Sequence, residues 1–492
     1  MIEKKSKKFY ITTAIPYVND RPHVGHALEF VQADVLARAA RARGEDVLVL
    51  SGADENALKN VQAAEKAGVP VEAFIETNAK LFATLAELLN VHFDMFQRGS
   101  DTRHHYPASQ ELWRRCADAG DIYKKSYEGL YCLGCEAFYT AEELTIEGEC
   151  AEHPGRKLEM VSEENYFFRL SKYRDALIDL ISSDTVHIIP ATRKNEVLGF
   201  LRTPLQDISI SRSNARARNW GVPVPGDDTQ RMYVWFDALN IYQSGVGFEW
   251  DEEMYQKWWP ADAHLIGKGI LRFHAVYWPA FLLAAKLPLP KSIIVHGYIT
   301  VDGQKMSKTI GNGVDPFELI EKYGTDPVRY YLLREIPSGE DGDFSYEKFK
   351  QRYNGDLANG IGNLVARVAK LGERGSPISI AVDVAITEEI ARVRAAVAAR
   401  TEEFRLNEAL ASIWELVSFA DKYINDTKPW TIKDDPAALQ KIVANVAVLV
   451  NAVRELLMSF LPDTAENISK QITVSNGAIT IKKGENLFPR LK

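Results

Sequence analysis

Two hydrophobic periodicities alternate through the first third of the chain. Phe9 to Ile15 is a β-rich apolar run that breaks at Pro16, after which Leu28, Val31, Val35 and Leu36 recur at helical spacing within Ala27 to Arg43. Val47 to Leu50 is a short apolar run closed by the turn Ser51-Gly52-Ala53. Strand, helix and strand in that order predict a parallel sheet assembled from βαβ units. Ligands of such sheets sit beyond the carboxyl ends of the strands, where Tyr17, His23, His26 and Asp54 fall. Between about Asp121 and Arg231 the segments shorten, cysteines appear, and Gly and Pro punctuate often, which marks an insertion into the sheet domain. The α/β pattern resumes with Met232 to Leu239, His264 to Ala285 and Ser292 to Thr300. Beyond about Asp341 long periodic stretches from Leu357 to Leu461 predict an almost wholly helical region. The alternation in Ile472 to Ile481 around Asn476-Gly477 predicts a closing hairpin.

A chain of 492 residues exceeds what one core accommodates, so several domains are expected. Its 46% hydrophobic and 26% charged residues are ordinary for a globular protein. The formal charge of −8, spread without long single-sign blocks, argues against a strongly basic, non-specific nucleic-acid binder and leaves room for a local basic face. Lys4, Lys5, Lys7 and Lys8 resemble the start of a signal peptide, but Phe9 to Val18 is too short and too interrupted to be its apolar segment. No uninterrupted apolar run approaches the length of a membrane span; Ala275 to Ala285 is broken by Pro279, so no membrane association is expected. Four cysteines in this length do not make a disulfide framework, and a reducing cytoplasm is the expected setting.

Three constellations carry chemistry. His23 and His26 bracket Gly25 at the strand-to-helix junction, where unpaired helix N–H groups attract phosphate and imidazoles add donors. On its own such a string is as readily a surface turn. Lys305 and Lys308, on a loop with Gly303 and Gly311, suit a mobile clamp on the outer phosphates of a nucleotide, although a solvated charged loop is the usual meaning of such a string. Cys132 and Cys135, then Cys150 and His153, form two chelating turns fourteen residues apart, which is the spacing of a closed tetrahedral zinc site. A redox pair is the competing explanation, without a second supporting feature. Cys116 is left over as a small buried hydrophobe. The aromatic run Tyr233-Val234-Trp235-Phe236-Asp237 and the pair Phe273-His274 read as core by default.

Together the two phosphate motifs resemble the signature of class I aminoacyl-tRNA synthetases, and the details resemble the methionyl-tRNA synthetase family. Ala14-Ile15-Pro16-Tyr17, the single zinc knuckle, Asp207-Ile208-Ser209 with Arg212, Trp220 to Pro225, Val234 to Ala238, Phe273-His274, Asn363 to Arg367 and Lys428-Pro429-Trp430 extend the likeness along the chain. The resemblance implies a Rossmann-type parallel-sheet catalytic domain (1–120 and 232–312) with a zinc-binding insertion (121–231). A stem-contact region (313–370) and an α-helical anticodon-binding domain (371–492) would follow. It implies activation of methionine by ATP to methionyl-adenylate and transfer to tRNA(Met), by a cytoplasmic monomer. His23, His26, Lys305 and Lys308 would be catalytic. Those four, with Gly25, Lys268 and Ser307, would hold ATP and its Mg²⁺. Ala14, Ile15, Tyr17, Asp54, Trp235, Ala238, Leu239, Tyr242, Ile270 and His274 would receive methionine, Asp54 taking the ammonium group. Asn363, Arg367, Pro429 and Trp430 would meet the anticodon, and Cys132, Cys135, Cys150 and His153 would bind one structural Zn²⁺.

Three departures from the family pattern involve four residues. Asn56-Ala57 stands where His-Gly is common, Gly269 replaces an aspartate expected at the ATP ribose, and Thr309 replaces a serine.

Overall fold

The computed structural model describes residues 7–132, 137–139, 144–151, 155, 158–305, 313–372, 378–379, 382–475 and 478–492, with residues 127, 137, 138, 305, 378 and 379 described by backbone alone. The chain forms two compact units. The first comprises Met1–Pro22, Arg43–Ala86 and His92–His296; the second comprises His23–Ala42, Glu87–Val91 and Gly297–Lys492.

A six-stranded parallel sheet organises the first unit. Its strands are β1 (Lys8–Thr12), β2 (Asp46–Ala53), β3 (Met95–Arg98), β4 (His187–Ile189), β5 (Ala263–Gly267) and β6 (Ser292–His296), in the order β3-β2-β1-β5-β6-β4. All five neighbouring pairs run parallel. The order departs in opposite directions from β1 and β5, so the crevice beyond their carboxyl ends is the topological switch point of the sheet. Burial on both faces explains why β1, β2 and β5 read as continuous apolar runs rather than alternating ones.

The insertion carries its own antiparallel ladder, in which Ile122–Cys132 pairs with Glu159–Phe168 from Ile122↔Phe168 to Tyr131↔Glu159. It does not stay apart from the parallel sheet, as its expected bounds of 121–231 imply. β4 lies inside those bounds and pairs with β6, flanked by helices Arg174–Ser182 and Ala191–Leu201, which bury Leu177, Ile181, Val197 and Leu201.

In the second unit, helix Val24–Ala42 is buried along most of its length, including Glu29, Gln32 and Asp34. What holds it there is Arg329, whose side chain is wholly buried. Arg329 Nη2 donates to Asp34 Oδ2 at 2.7 Å, Nη1 to Leu89 O at 2.9 Å and Nε to Phe460 O at 2.8 Å. The expected boundaries therefore differ from the compact units twice: this helix groups with the C-terminal half, and that half begins at Gly297 rather than after 312. Strand Ile299–Val301 pairs with Gln304–Lys305 and with Gly342–Phe344. Helices Val384–Glu402, Leu406–Thr427, Pro436–Leu457 and Pro462–Gln471 make the helical region. Pro436–Leu457 is long and apolar enough, by length and composition, to cross a membrane, a candidate the sequence reading passed over. Its apolar side, including Val443, Val446, Leu449, Val450 and Val453, is buried inside the unit. The predicted hairpin is present as Ile472–Ser475 against Ala478–Ile481, with Asn476 and Gly477 outside the described residues.

Candidate active site

Beyond β1 and β5 the first unit assembles an aromatic box. Trp235, on the one-turn helix Val234–Ala238, stacks flat on Phe273 with ring centroids 3.8 Å apart and 3° between the planes. Tyr17 meets Trp235 edge-on at 6.2 Å and His274 does so at 6.3 Å. Phe273 and His274 open a five-residue π-helix, Phe273–Tyr277, a local widening that often accompanies functional sites. Ala238 and Leu239 are buried behind the tryptophan, and Ile270 packs against the same core from the edge.

His274 is fully enclosed, and its hydrogen bonds set its tautomer. Nδ1 lies 3.0 Å from Ile270 O, a carbonyl that only accepts, so Nδ1 carries the hydrogen and Nε2 accepts from Tyr242 OH at 2.8 Å. Burial pushes its pKa down to about 4, keeping the imidazole neutral. Beneath it lies His264 of β5, at 0% exposure, with Nδ1 2.7 Å from Thr12 Oγ1 and its ring 4.3 Å from that of Tyr242. Burial holds His264 well below the ordinary histidine range too. Ala14, Ile15 and Tyr17 follow β1 directly and are half-buried.

Asp54, just past β2, is 3% exposed and bridges to Tyr17 in parallel fashion, its N–H donating to Pro16 O at 2.9 Å. A carboxylate is thereby fixed beside the residues that precede the aromatic box. Gly52 has to be glycine, since a Cβ there would lie 2.3 Å from Gln97 O. Glu55 points elsewhere, held by Ser100 Oγ at 2.5 Å and by the Arg98 guanidinium. Desolvation raises its pKa against these partners. Lys268 lies with Gly269 and Ile270 in a single 3₁₀ turn after β5, and Gly269 is exposed.

The phosphate motifs belong to the second unit. His23 and His26 stack with centroids 3.9 Å apart at the start of helix Val24–Ala42. His26 Nδ1 accepts from the His23 backbone N–H at 3.1 Å, and His23 Nδ1 accepts from the Gly25 N–H at 3.0 Å. Each ring therefore carries its hydrogen on Nε2, the tautomer able to donate to a phosphate oxygen. A Cβ at Gly25 would approach His23 Cε1 to 2.9 Å, so a larger residue there would push the His23 ring out of its stack on His26. The backbone of Lys305 pairs with Thr300, while Ser307, Lys308 and Thr309 lie outside the described residues.

The residues expected at the anticodon lie in the helical region. Asn363 and Arg367 share a face of helix Asn363–Gly372, and Arg367 donates to Asp421 Oδ1 at 2.8 Å and Asn425 Oδ1 at 2.7 Å on helix Leu406–Thr427. That helix ends at Lys428 with φ 43°, followed by buried Pro429 and by Trp430, which is 50% exposed and suited to stacking. Of the expected zinc ligands, Cys132 and Cys150 are described and buried, whereas Cys135 and His153 lie outside the described residues. Two enclosed thiols, one ending a strand and one just after the turn at Gly148 (φ 75°), fit the soft donor set zinc takes. Cys116 is fully buried, its thiol pKa pushed up by desolvation, as a structural cysteine requires.

Comparison with known proteins agrees with this geometry. A family model described as tRNA synthetases class I (M) matches residues 9–157 and 151–369, and one described as the anticodon-binding domain of tRNA ligase matches residues 383–486. Methionine–tRNA ligase of Brucella suis is 42% identical over 94% of this chain and 91% of its own length. That of Clostridium acetobutylicum is 41% identical over 99% and 79%. A solved structure of Mycobacterium tuberculosis methionyl-tRNA synthetase in complex with methionyl-adenylate superposes with a TM-score of 0.90 at 40% identity, covering 94% of this chain and 93% of that one. A second structure of that enzyme with methionyl-adenylate gives 0.92 at 37% identity, covering 98% and 100%.

The chain belongs to the methionyl-tRNA synthetases.

Within the family, its departures now have places. Asn56 is buried in a hydrogen-bond network, with Nδ2 2.7 Å from Asp237 Oδ2, whereas Gly269 is exposed and brings no side chain. Phe273 and His264 were absent from the expected methionine residues. The pairing of Phe273 with Trp235 had a signal in its adjacency to His274; that of His264 had none, because strand register brings it under Tyr242.

Proposed function

We propose that the protein condenses methionine with ATP to methionyl-adenylate, releasing pyrophosphate, and then passes the methionyl group to the terminal adenosine of tRNA(Met). The observation that carries this is the neutral, aromatic box of Trp235, Phe273, Tyr17, Tyr242 and His274 next to the fixed carboxylate of Asp54, in a chain of this family. A flexible, polarizable thioether suits aromatic walls and a neutral imidazole better than a charged one. Asp54 accepts from the substrate ammonium, and Ala14, Ile15, Ala238, Leu239 and Ile270 complete the walls.

The methionine carboxylate attacks the α-phosphorus and pyrophosphate leaves, so the protein has to position and neutralise rather than supply a nucleophile. His23 and His26 donate from Nε2 to phosphate oxygens at the helix start, with Gly25, Lys268, Lys305, Ser307 and Lys308 completing the nucleotide's surroundings. Mg²⁺ bound with ATP would offset phosphate charge. Cys132, Cys135, Cys150 and His153 would hold Zn²⁺ in a structural role, pinning the end of the insertion's long strand. Asn363, Arg367, Pro429 and Trp430 meet the anticodon.

The test is ATP–pyrophosphate exchange with each of the twenty amino acids in turn. Methionine alone should support rapid exchange; a folded, zinc-loaded protein with no methionine-dependent signal overturns the assignment.

A further inference from the structure

We propose that Asn56 is a positioning residue that fixes the ammonium-binding segment to the methionine side-chain box, through a buried chain running Asn56–Asp237–His105–Ser244. This rests on the proposed function. Asn56 follows Asp54 by two residues, and Asp237 follows Trp235 by two, so one hydrogen bond joins the two halves of the amino-acid site. Asn56 Nδ2 donates to Asp237 Oδ2 at 2.7 Å and to Gly99 O at 2.8 Å. Its Oδ1 accepts from Tyr106 OH at 3.3 Å. An amide nitrogen facing two acceptors, with its oxygen facing a hydroxyl, satisfies every partner in one orientation only. The other oxygen of Asp237 accepts from His105 Nε2 at 2.5 Å, and His105 Nδ1 accepts from Ser244 Oγ at 2.8 Å. His105 and Ser244 are 0% exposed and Asp237 is 1% exposed.

Helix Val234–Ala238 is a single turn of five residues. So short a helix has almost no hydrogen bonds of its own to hold its orientation. Trp235 is therefore aimed by what grips Asp237. The Asp54–Asn56 segment is a loop, braced by Gly99 N–H on Ala53 O at 2.9 Å and by Trp220 Nε1 on Glu55 O at 2.7 Å. The Asn56–Asp237 bond is the strut joining those two braced pieces. What read in the sequence as a departure from the family's usual histidine is a short side chain whose single nitrogen serves two acceptors.

Two substitutions separate positioning from bulk stability. Asn56→Ala removes both donors and should raise the methionine KM in exchange about 10-fold, the effect of losing a hydrogen bond to a charged group, while the ATP KM stays within about 2-fold. Asn56→Asp sets a second carboxylate against Asp237. Its exchange rate should be poorest near pH 8 and recover as pH falls toward 6, because two close carboxylates share one proton. The titratable groups around it are Asp237, His105, Tyr106, Glu55, Arg98 and Arg231. Tyr106, its pKa raised by burial, remains a donor throughout that range. Should Asn56→Ala not fold, Tyr106→Phe provides the milder version, with an expected rise in methionine KM of about 3-fold. An Asn56→Ala or Tyr106→Phe protein with the wild-type methionine KM overturns the inference. So does an Asn56→Asp profile parallel to wild type, or an equal rise in both substrates' KM. If wild type itself shows no methionine-dependent exchange, the proposed function fails, and this inference with it.

Discussion

Two places, one in each compact unit, hold their buried polar side chains in contrasting ways. Around the aromatic box the first unit keeps imidazoles neutral: His274 and His264 are sealed in with Tyr242 and Thr12, their pKa values driven down by desolvation. The second unit buries charge outright, closing Arg329 on Asp34 at 0% and 1% side-chain exposure and adding Arg38 Nε on the same Asp34 oxygen at 2.7 Å. Under the proposed function the pocket walls have to stay electrically quiet, so that the Asp54 carboxylate can decide the ligand's polarity. An anchor between distant chain segments gains instead from the directionality of a guanidinium, whose donors each find a different segment.

The largest effect should come from breaking the charged anchor. Arg329→Met leaves Asp34 buried without its main partner, and should cost about 3–5 kcal/mol of stability in urea unfolding. Arg329→Met with Asp34→Leu should recover most of that loss, since two apolar side chains leave no buried charge. If single and double variants unfold alike, the anchor works by packing rather than by charge. Breaking the neutral site should be milder. Tyr242→Phe removes the hydroxyl that donates to His274 Nε2 and leaves a buried acceptor unmet, for about 1–3 kcal/mol by thermal or urea melting. Methionine-dependent exchange should weaken in the same variant through a higher methionine KM, whereas a pure loss of kcat would place the hydroxyl at the reacting atoms instead.

The same contrast explains what the sequence disclosed. The early strand-helix-strand pattern, the helical C-terminal region and the final hairpin rest on local periodicity, and each stands where it was expected. Tyr17 and His274 come together because they follow neighbouring strands β1 and β5 at the sheet's switch point, whereas Trp235 and Tyr242 reach them on short helices after Asp227–Met232, a strand of a separate antiparallel sheet. By contrast, β4 has three residues, too few to show a period, and its place beside β6 depends on a chain excursion through the whole insertion. Helix Val24–Ala42 buries Glu29, Gln32 and Asp34, which hydrophobic spacing alone does not foresee; Arg329, nearly three hundred residues away, accounts for Asp34. Likewise Asn56 looked like a lapse from a motif because its partners, Gly99, Tyr106 and Asp237, are distant in sequence.

Acid sharpens the comparison further. His274 has a folded pKa of about 4 against an ordinary 6.5, so its contribution to stability is complete above pH 6.5 and is lost as pH falls toward 4, where the unfolded chain takes the proton first. His264 acts in the same direction. Urea unfolding of wild type followed from pH 7.5 to 4.5 should show this decline, and His274→Gln should flatten it; parallel curves would mean that His274 does not titrate on unfolding.

The smallest effect has the opposite sign and lies in the second unit. Asp326 caps helix Pro462–Gln471, its Oδ2 accepting from Thr464 N–H and Oγ1, both at 2.6 Å. Burial raises its pKa from 3.8 to about 6, overcoming the opposing pull of Arg329 and of those hydrogen bonds. An acid with a raised folded pKa contributes stability that is complete below 3.8 and is lost as pH rises through 6, because the folded state keeps the proton longer. Asp326→Asn keeps an acceptor for Thr464 without a charge to bury, so its stability relative to wild type should improve as pH rises from 4 to 7. The first unit would then resist unfolding better as pH rises and the second less well at this one site. A difference between Asp326→Asn and wild type that stays constant across that range would show that Asp326 is already ionised in the fold, making it a second buried charge beside the Arg329 anchor.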